Sequence, residues 1–429
     1  MGGMAVFTSE REYVNTLTPR SVLPEGFRVS TTRLTFVARE RPSEEPYAMN
    51  LALLLADEPT QVFAGAFTSN RVTGAPVQIA RARMERETIQ AVLVNNKVAN
   101  VCAPTGKQDA LGLTEELARR LALDPEDCLS ASTGVIGWSL PVDDMKAALP
   151  ELAGGLHDGP CVDVARAIMT TDAFPKVRHA EVGAGRIVAV AKGAGMVEPN
   201  LGTMLVFILT DVTISREELR RALAEVVDGS FNSISIDGDQ STSDMVLAMS
   251  SNRKPPVDRE TFRAGLDRVC RELAADIVRN GEGAGHVIRV SVDGAPSADE
   301  AKAVAKAVVN SPLVKAAVYG NDPNVGRIVS AVGDYAGNTG LPLDVERMRV
   351  RVGEETVFEG GAFALDREKE HRLSEYLSAA STDPAAVGYP RHELEVVISI
   401  SLDGGGGSAQ VLGSDLSYEY VRENADYRT

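Results

Sequence analysis

The sequence is poor in the residues that usually announce chemistry, with four cysteines, five histidines and one tryptophan in 429 residues. Cys102, Cys128, Cys161 and Cys270 are widely spaced and form no CxxC pair. That excludes a disulfide framework and a cysteine-ligated zinc site, and it fits a reducing compartment. His157, His179, His286, His371 and His392 never approach metal-ligand spacing, so no metal is expected. No apolar run is longer than Met204 to Leu209, far short of the roughly 20 residues of a membrane span. No basic segment followed by an apolar core opens the sequence, so no signal peptide is read and the expected location is the cytoplasm. Basic residues are the minority, 44 against 60 acidic ones, for a formal charge of −16. Neither nucleic acid nor an anionic membrane surface is an expected partner of such a chain.

The remainder is ordinary globular composition, 44% hydrophobic and 24% charged. The length predicts two or three domains, although no linker between independent domains is evident. Ser215 and Glu218 form a capping box, with Ile214 and Leu219 placed as a staple. The helix they open is expected to run to about Val227 and stop at Gly229. Ser297 and Glu300 form a second box, opening a helix that stops near Asn310. A third helix is expected from Asp258 to Arg279. Strands are expected at Gln90 to Val94, Arg186 to Ala191, Met204 to Asp211, Val287 to Val292 and Glu395 to Leu402. Gly404 to Gly407 reads as a flexible turn or loop, and Arg39 to Tyr47 as an exposed loop. The mixture fits an α/β or α+β enzyme better than a helical bundle or a β-sandwich.

Several familiar motifs fail. Gly193 and Gly195 begin a dinucleotide pattern, but Glu198 stands where the third glycine belongs. Gly106-Lys107 lacks the first glycine and the Ser or Thr of a phosphate-binding loop. Asp237-Gly-Asp-Gln-Ser241 resembles the start of a calcium loop, yet Thr242 and Ala248 occupy the positions of its glycine and glutamate. A structural turn is the better reading there. No G-x-S-x-G elbow occurs.

The informative stretch is Lys192-Gly-Ala-Gly-Met-Val-Glu-Pro-Asn-Leu-Gly-Thr-Met-Leu205. A loop rich in glycine and containing proline delivers Gly202-Thr203 directly to the start of a buried strand. Such a loop is able to hold a backbone carbonyl in a strained geometry beside a hydroxyl. Composition alone describes a tight turn into a core strand.

This stretch closely resembles the self-processing site of the ornithine acetyltransferase (glutamate N-acetyltransferase) family of arginine biosynthesis, which reads K-G-x-G-M-x-x-P-N-x-x-T-M-L. Further segments resemble that family in the same order: Phe67 to Val72, Ala131 to Gly137, Ala167 to Lys176, Phe231 to Gly238, Asn310 to Lys315, Asp322-Pro-Asn324 with Gly326-Arg327, and Tyr418 to Thr429. The resemblance implies an α/β (α+β) layered sandwich with an N-terminal-threonine nucleophile. It implies autoproteolysis at Gly202-Thr203, giving fragments of residues 1–202 and 203–429 that fold together and assemble further as heterotetramers. It also implies ping-pong acetyl transfer from N-acetylornithine to glutamate through an acetyl-Thr203 intermediate. By the same resemblance Thr133 and Gly134 match the oxyanion hole. Thr170 or Thr171, Lys192, Thr203, Glu282, Asn424 and Thr429 match substrate contacts. No cofactor is required, with acetyl-CoA as a possible alternative donor. Two readings stand beside it: a related self-processing amidohydrolase or aminopeptidase that uses water as acceptor, and a catalytically silent paralogue. The chain departs from the family pattern at Asn96 to Val98, at Gly202 and at Val325.

Overall fold

The computed structural model describes residues 7, 9–42, 45–198, 204–382 and 394–426. From the N-terminus the chain lays down β1 (Phe27–Phe36), β2 (Tyr47–Thr60), β3 (Phe63–Phe67), β4 (Ile89–Asn95), β5 (Cys128–Ser132), β6 (Lys176–Val182), β7 (Gly185–Lys192) and β8 (Leu205–Val212). There follow β9 (Ile234–Ser235), β10 (Met245–Lys254), β11 (Val287–Ala295), β12 (Arg349–Val352), β13 (Glu355–Glu359), β14 (Ala362–Phe363), β15 (Val396–Ser401) and β16 (Gly407–Ser414).

These strands and the helices between them make two compact units. The larger comprises residues 10–232 and 239–277. It holds a sheet in the order β1-β2-β4-β5 and a second in the order β3-β10-β8-β7-β6. The helix Val162–Ala167 touches β1 and β2 of the first sheet and β6 and β7 of the second, a layered mixed α/β arrangement. β8 sits between β10, to which it is parallel, and β7, to which it is antiparallel. All eight of its residues are buried, which explains why it opens with an unbroken apolar run, Leu205 to Leu209, rather than alternating. A second core gathers Leu51, Leu53 and Leu93 under Leu113, Leu117 and Leu149 from the helices outside the first sheet.

The smaller unit contains residues 233–238 and 278–429, with a sheet in the order β14-β13-β12-β15-β11-β16-β9. The helix Ala298–Asn310 packs on β11 and β16. It buries Ala301, Val304, Ala305, Val308 and Val309, the spacing of one apolar helical face. β15 alternates buried and half-buried residues, as a strand with one wet face does.

The expected elements are present, each within one to three residues of its expected ends. Three local expectations need correcting. Ser215 and Glu218 make the complete reciprocal box, whereas at Ser297 only half forms. There the Ser297 hydroxyl accepts from the Glu300 N–H and donates to the Glu300 carboxylate, at 3.2 Å in each case. Gly407 belongs to β16, paired with Ala295, so only the residues before it are a turn. Tyr47 begins β2 and is held there by rings at both sides, Phe36 at 6.0 Å and Trp138 at 5.0 Å between centroids. No helix among the described residues is long and apolar enough to cross a membrane.

Candidate active site

The larger unit places Lys192 at one end of its five-stranded sheet. Lys192 is the last residue of β7 and pairs with Leu205, the first of β8. Leu205 also pairs with Met245 of β10, and Met245 with Phe67 of β3. The position that precedes β8 is therefore flanked by the end of β7 and the beginning of β10. Gly202 and Thr203, with Thr429, lie outside the described residues.

Thr133 and Gly134 follow β5, which runs parallel to β4. The Thr133 N–H donates to the Asn95 carbonyl at 3.1 Å and the Val135 N–H to the Lys97 carbonyl at 2.9 Å. The Ser132 hydroxyl adds a bond to Asn95 Oδ1 at 2.6 Å. Gly134 between them has φ +125°, and a Cβ there would lie 2.2 Å from the Lys97 carbonyl carbon. Only glycine fits this turn. Its N–H and the Thr133 hydroxyl make no hydrogen bond among the described residues, although Thr133 is buried. The turn thus holds two adjacent unused donors in a fixed frame, the arrangement an oxyanion needs.

The frame continues without a break. Asn96 accepts from the Asn50 N–H at 2.7 Å and donates to the Met169 carbonyl at 2.8 Å. The next N–H, that of Thr170, donates to Asp172 Oδ2 at 3.0 Å. Asp172 Oδ1 accepts from Lys176 Nζ at 2.6 Å and from the Gly193 N–H at 2.8 Å. A chain of hydrogen bonds therefore links the Thr133-Gly134 turn through residues 95–98 and 169–172 to Gly193, the neighbour of Lys192. Lys192 is 9% exposed, and among the described residues its ammonium makes no hydrogen bond or ion pair. A buried cation in that condition is poised for an anionic ligand.

Asp172 and Lys176 are fully buried. Burial alone would raise the Asp172 carboxyl, but the charges of Lys176 and Lys192 and the bonds it accepts outweigh that and hold it at about 2. For Lys176 burial is the stronger influence, and it lies below its ordinary value despite the Asp172 contact.

The smaller unit places Glu282 and Asn424 together. Asn424 Nδ2 donates to Glu282 Oε2 at 2.8 Å and to the Tyr420 carbonyl at 3.0 Å. Between Glu282 and the helix Tyr418–Ala425 there is no room for a side chain on residue 283. Gly283 has φ +61°, and a Cβ would meet the Tyr420 nitrogen at 2.4 Å. Beneath this loop His286 Nδ1 lies 2.7 Å from Asp415 Oδ2, and the Gly285 N–H donates to Asp415 Oδ1 at 2.9 Å. Glu423 is raised by burial and by the charge of Glu282. The acidic run at Asp237 behaves as a turn, with Asp237 accepting from the Tyr420 hydroxyl at 3.3 Å. A separate groove of about 900 Å³ in this unit is lined by Asp322, Asn324, Val325, Phe363, Arg367 and His371, among others.

A profile of the ArgJ family matches residues 39–429. The chain belongs to the ArgJ family. It is 39% identical over 411 residues to an arginine biosynthesis bifunctional protein ArgJ of Thermus thermophilus, covering 95% of this chain and 99% of that one. It is 40% identical over 394 residues to a glutamate N-acetyltransferase of Methanosarcina mazei, covering 90% and 95%. Among solved structures, an ArgJ of Bacillus halodurans aligns at 35% identity with a TM-score of 0.45, over 52% of this chain and 98% of that one.

In this ArgJ family chain one hydrogen-bonded frame includes Thr133 and Thr170 and adjoins Gly134 and Lys192, and a direct bond joins Glu282 and Asn424. Thr171 lies beside Thr170. Sequence reasoning missed Asp172, Lys176, His286 and Asp415. Asp172 and Lys176 stand inside the segment from Ala167 to Lys176 that carries the family resemblance, so a signal was present, but not one that singled them out.

Proposed function

We propose that this chain is a self-cleaved N-terminal-threonine acyltransferase that moves an acetyl group from N-acetylornithine to glutamate. The observation that carries the reading is the continuous frame from the Thr133-Gly134 turn to Gly193, which holds two donors unused among the described residues and ends beside the buried Lys192, the β7 residue paired with the first residue of β8. Membership of the ArgJ family, and the names its relatives carry, support acetyl transfer in arginine biosynthesis.

The chemistry balances without a histidine. Thr203 Oγ attacks the Gly202 carbonyl carbon, the Gly202-Thr203 C–N bond breaks, and the nitrogen leaves as the Thr203 α-amine. Water hydrolyses the resulting ester, releasing the Gly202 carboxylate and restoring the hydroxyl. That α-amine has an ordinary pKa of ~7.7–8.0, which suits it to take the proton from its own hydroxyl, directly or through water. Thr203 Oγ then attacks the acetyl carbonyl of N-acetylornithine. The Thr133 hydroxyl and Gly134 N–H stabilise the tetrahedral oxyanion, each by roughly 3 kcal/mol. Ornithine leaves as the amine, having received the proton, and the acetyl group remains as an ester on Thr203. The amine of glutamate attacks that ester, giving N-acetylglutamate and free enzyme. In this reading Lys192 holds the substrate carboxylate, Glu282 with Asn424 faces its amino group, Thr170 or Thr171 and Thr429 complete the contacts, and acetyl-CoA enters as an alternative donor. The cytoplasm and an assembly of cleaved units go with it.

Intact-mass measurement before and after mixing with N-acetylornithine tests it. The expected result is two fragments divided at Gly202-Thr203, with one acetyl group added to the fragment that begins at Thr203. Thr203→Ala is expected to remain one uncut, inactive chain. Normal turnover in that variant refutes the nucleophile. Ornithine release indifferent to glutamate assigns a hydrolase instead, and an uncut wild-type chain that stays unmodified assigns a silent paralogue.

A further inference from the structure

Asp172 belongs to neither the nucleophile nor the oxyanion turn, yet three groups converge on it. Its two oxygens accept from the Thr170 N–H, the Gly193 N–H and Lys176 Nζ. The carboxylate is wholly buried. Two of those three donors are backbone groups of, or next to, residues of the candidate substrate site. Thr170 itself is one such residue, and Gly193 follows Lys192 at the point where β7 gives way to the loop leading to Thr203. Met169 is held from the other side by Asn96, at 2.8 Å, so the backbone on both sides of the Met169-Thr170 bond is fixed. Lys176 also donates to the Phe174 carbonyl, at 3.4 Å, and lies 5.2 Å from that ring's centre.

We propose that Asp172 is a positioning residue that fixes Thr170 relative to Lys192 and holds the first turn of the loop preceding Thr203, rather than merely the counter-charge of Lys176. The kinetic part of this proposal rests on the acyltransfer reading above. The geometric argument is one of acceptor count. A carboxylate has two equivalent oxygens and serves both amides at once, whereas an amide side chain has one acceptor oxygen and must leave either Thr170 or Gly193 unserved. A displacement of about 1 Å between substrate-holding groups costs roughly 10²-fold in rate.

The test compares wild type with Asp172→Asn, Lys176→Met and the double variant Asp172→Asn/Lys176→Met. The double variant removes both buried charges and nearly preserves volume, so it remains folded even where the single variants, each leaving one charge uncompensated, do not. For each protein that folds, amide hydrogen exchange at Thr170 and Gly193 is measured together with self-cleavage, kcat and KM. The expected result is that the double variant exchanges at least one of these two amides markedly faster than wild type. Its kcat/KM for N-acetylornithine is expected to fall roughly 10²-fold while its thermal midpoint stays close to wild type. Wild-type exchange at both amides, or wild-type kcat/KM in the double variant, overturns the proposal and leaves Asp172 as the counter-ion of Lys176. If the wild-type chain neither cleaves nor transfers, the acyltransfer reading fails, and the exchange measurement still decides the role of Asp172.

Discussion

At Gly134 a single hydrogen atom in place of a side chain sets what the turn after β5 is able to do. The Lys97 carbonyl carbon occupies the space a methyl would need, 2.2 Å from its position, and backbone is the least adjustable kind of neighbour. On the proposed oxyanion role, Gly134→Ala is expected to lower acetyl transfer by roughly 10²–10³-fold, because the clash displaces the turn and with it one donor, and to reduce the thermal midpoint as well. Turnover assays beside a melting curve check this, and wild-type turnover would remove the turn from the oxyanion role. Asp172 gives a second prediction at this scale, one that depends on pH. Its carboxyl is depressed from the ordinary 3.8 to about 2. The folded state therefore binds the proton more weakly than the unfolded chain does. The stability this supplies, on the order of 2 kcal/mol, is fully present above about pH 4 and is lost as pH falls through the folded value. In urea unfolding at a series of acid pH values, Asp172→Asn/Lys176→Met is expected to lose less stability than wild type over that window. Parallel curves would mean that Asp172 is not depressed.

The helix Arg216–Gly229 shows how much an element owes to its first residues. The Ser215 side chain accepts from the Glu218 N–H, and the Ser215 N–H donates to the Glu218 carboxylate at 3.2 Å. Two of the four amides that a helix start leaves unpaired are satisfied in this way. Ser215→Ala is expected to cost about 1 kcal/mol, read as a shift of the urea midpoint at constant slope, and an unchanged midpoint would show that the cap contributes nothing net. That cap was legible because it is local: four residues carry the whole interaction. The same four-residue pattern at Ser297 formed only by half, with the Glu300 carboxylate accepting from the serine hydroxyl. Strand spans were legible for the same reason, β8 from a continuous apolar run and β15 from alternation. The frame around the candidate site was not. Asp172 meets Gly193 across 21 residues and Asn424 meets Glu282 across 142, and nothing within either neighbourhood encodes the other.

The five-stranded sheet of the larger unit has a consequence for the whole molecule. β3, β6 and β7 precede position 203, while β8 and β10 follow it, and the order β3-β10-β8-β7-β6 interleaves the two sets. After cleavage at Gly202-Thr203, the cut chain would still be joined by the β3–β10 and β7–β8 ladders and by the buried face of β8. Pulling the fragments apart would expose that apolar strand and leave two ladders unpaired. The fragments are therefore expected to elute together from a size-exclusion column in native buffer and to separate only in denaturant. Separate native peaks would contradict this joining. The compact units also divide the chain differently from the proposed cleavage point, because the larger unit takes residues from both sides of position 203. That explains why no linker is evident in the sequence: the chain leaves and re-enters the larger unit instead of finishing one unit before starting the next.

By itself the sequence determined what depends on neighbours along the chain. Those features are the exclusion of disulfides and membrane spans, the caps, the strand and helix periods, and an ordered series of segments that resembles one family. It also marked Lys192, Thr133 and Gly134 as places to look. Only the tertiary structure decided which of these meet. Lys97 closes on Gly134, Asn96 reaches Met169, Asp172 gathers Thr170 and Gly193, and Glu282 receives Asn424. Each of those contacts depends on strand order and register. Those are fixed by how the apolar faces of distant segments pack, and no single segment carries that information.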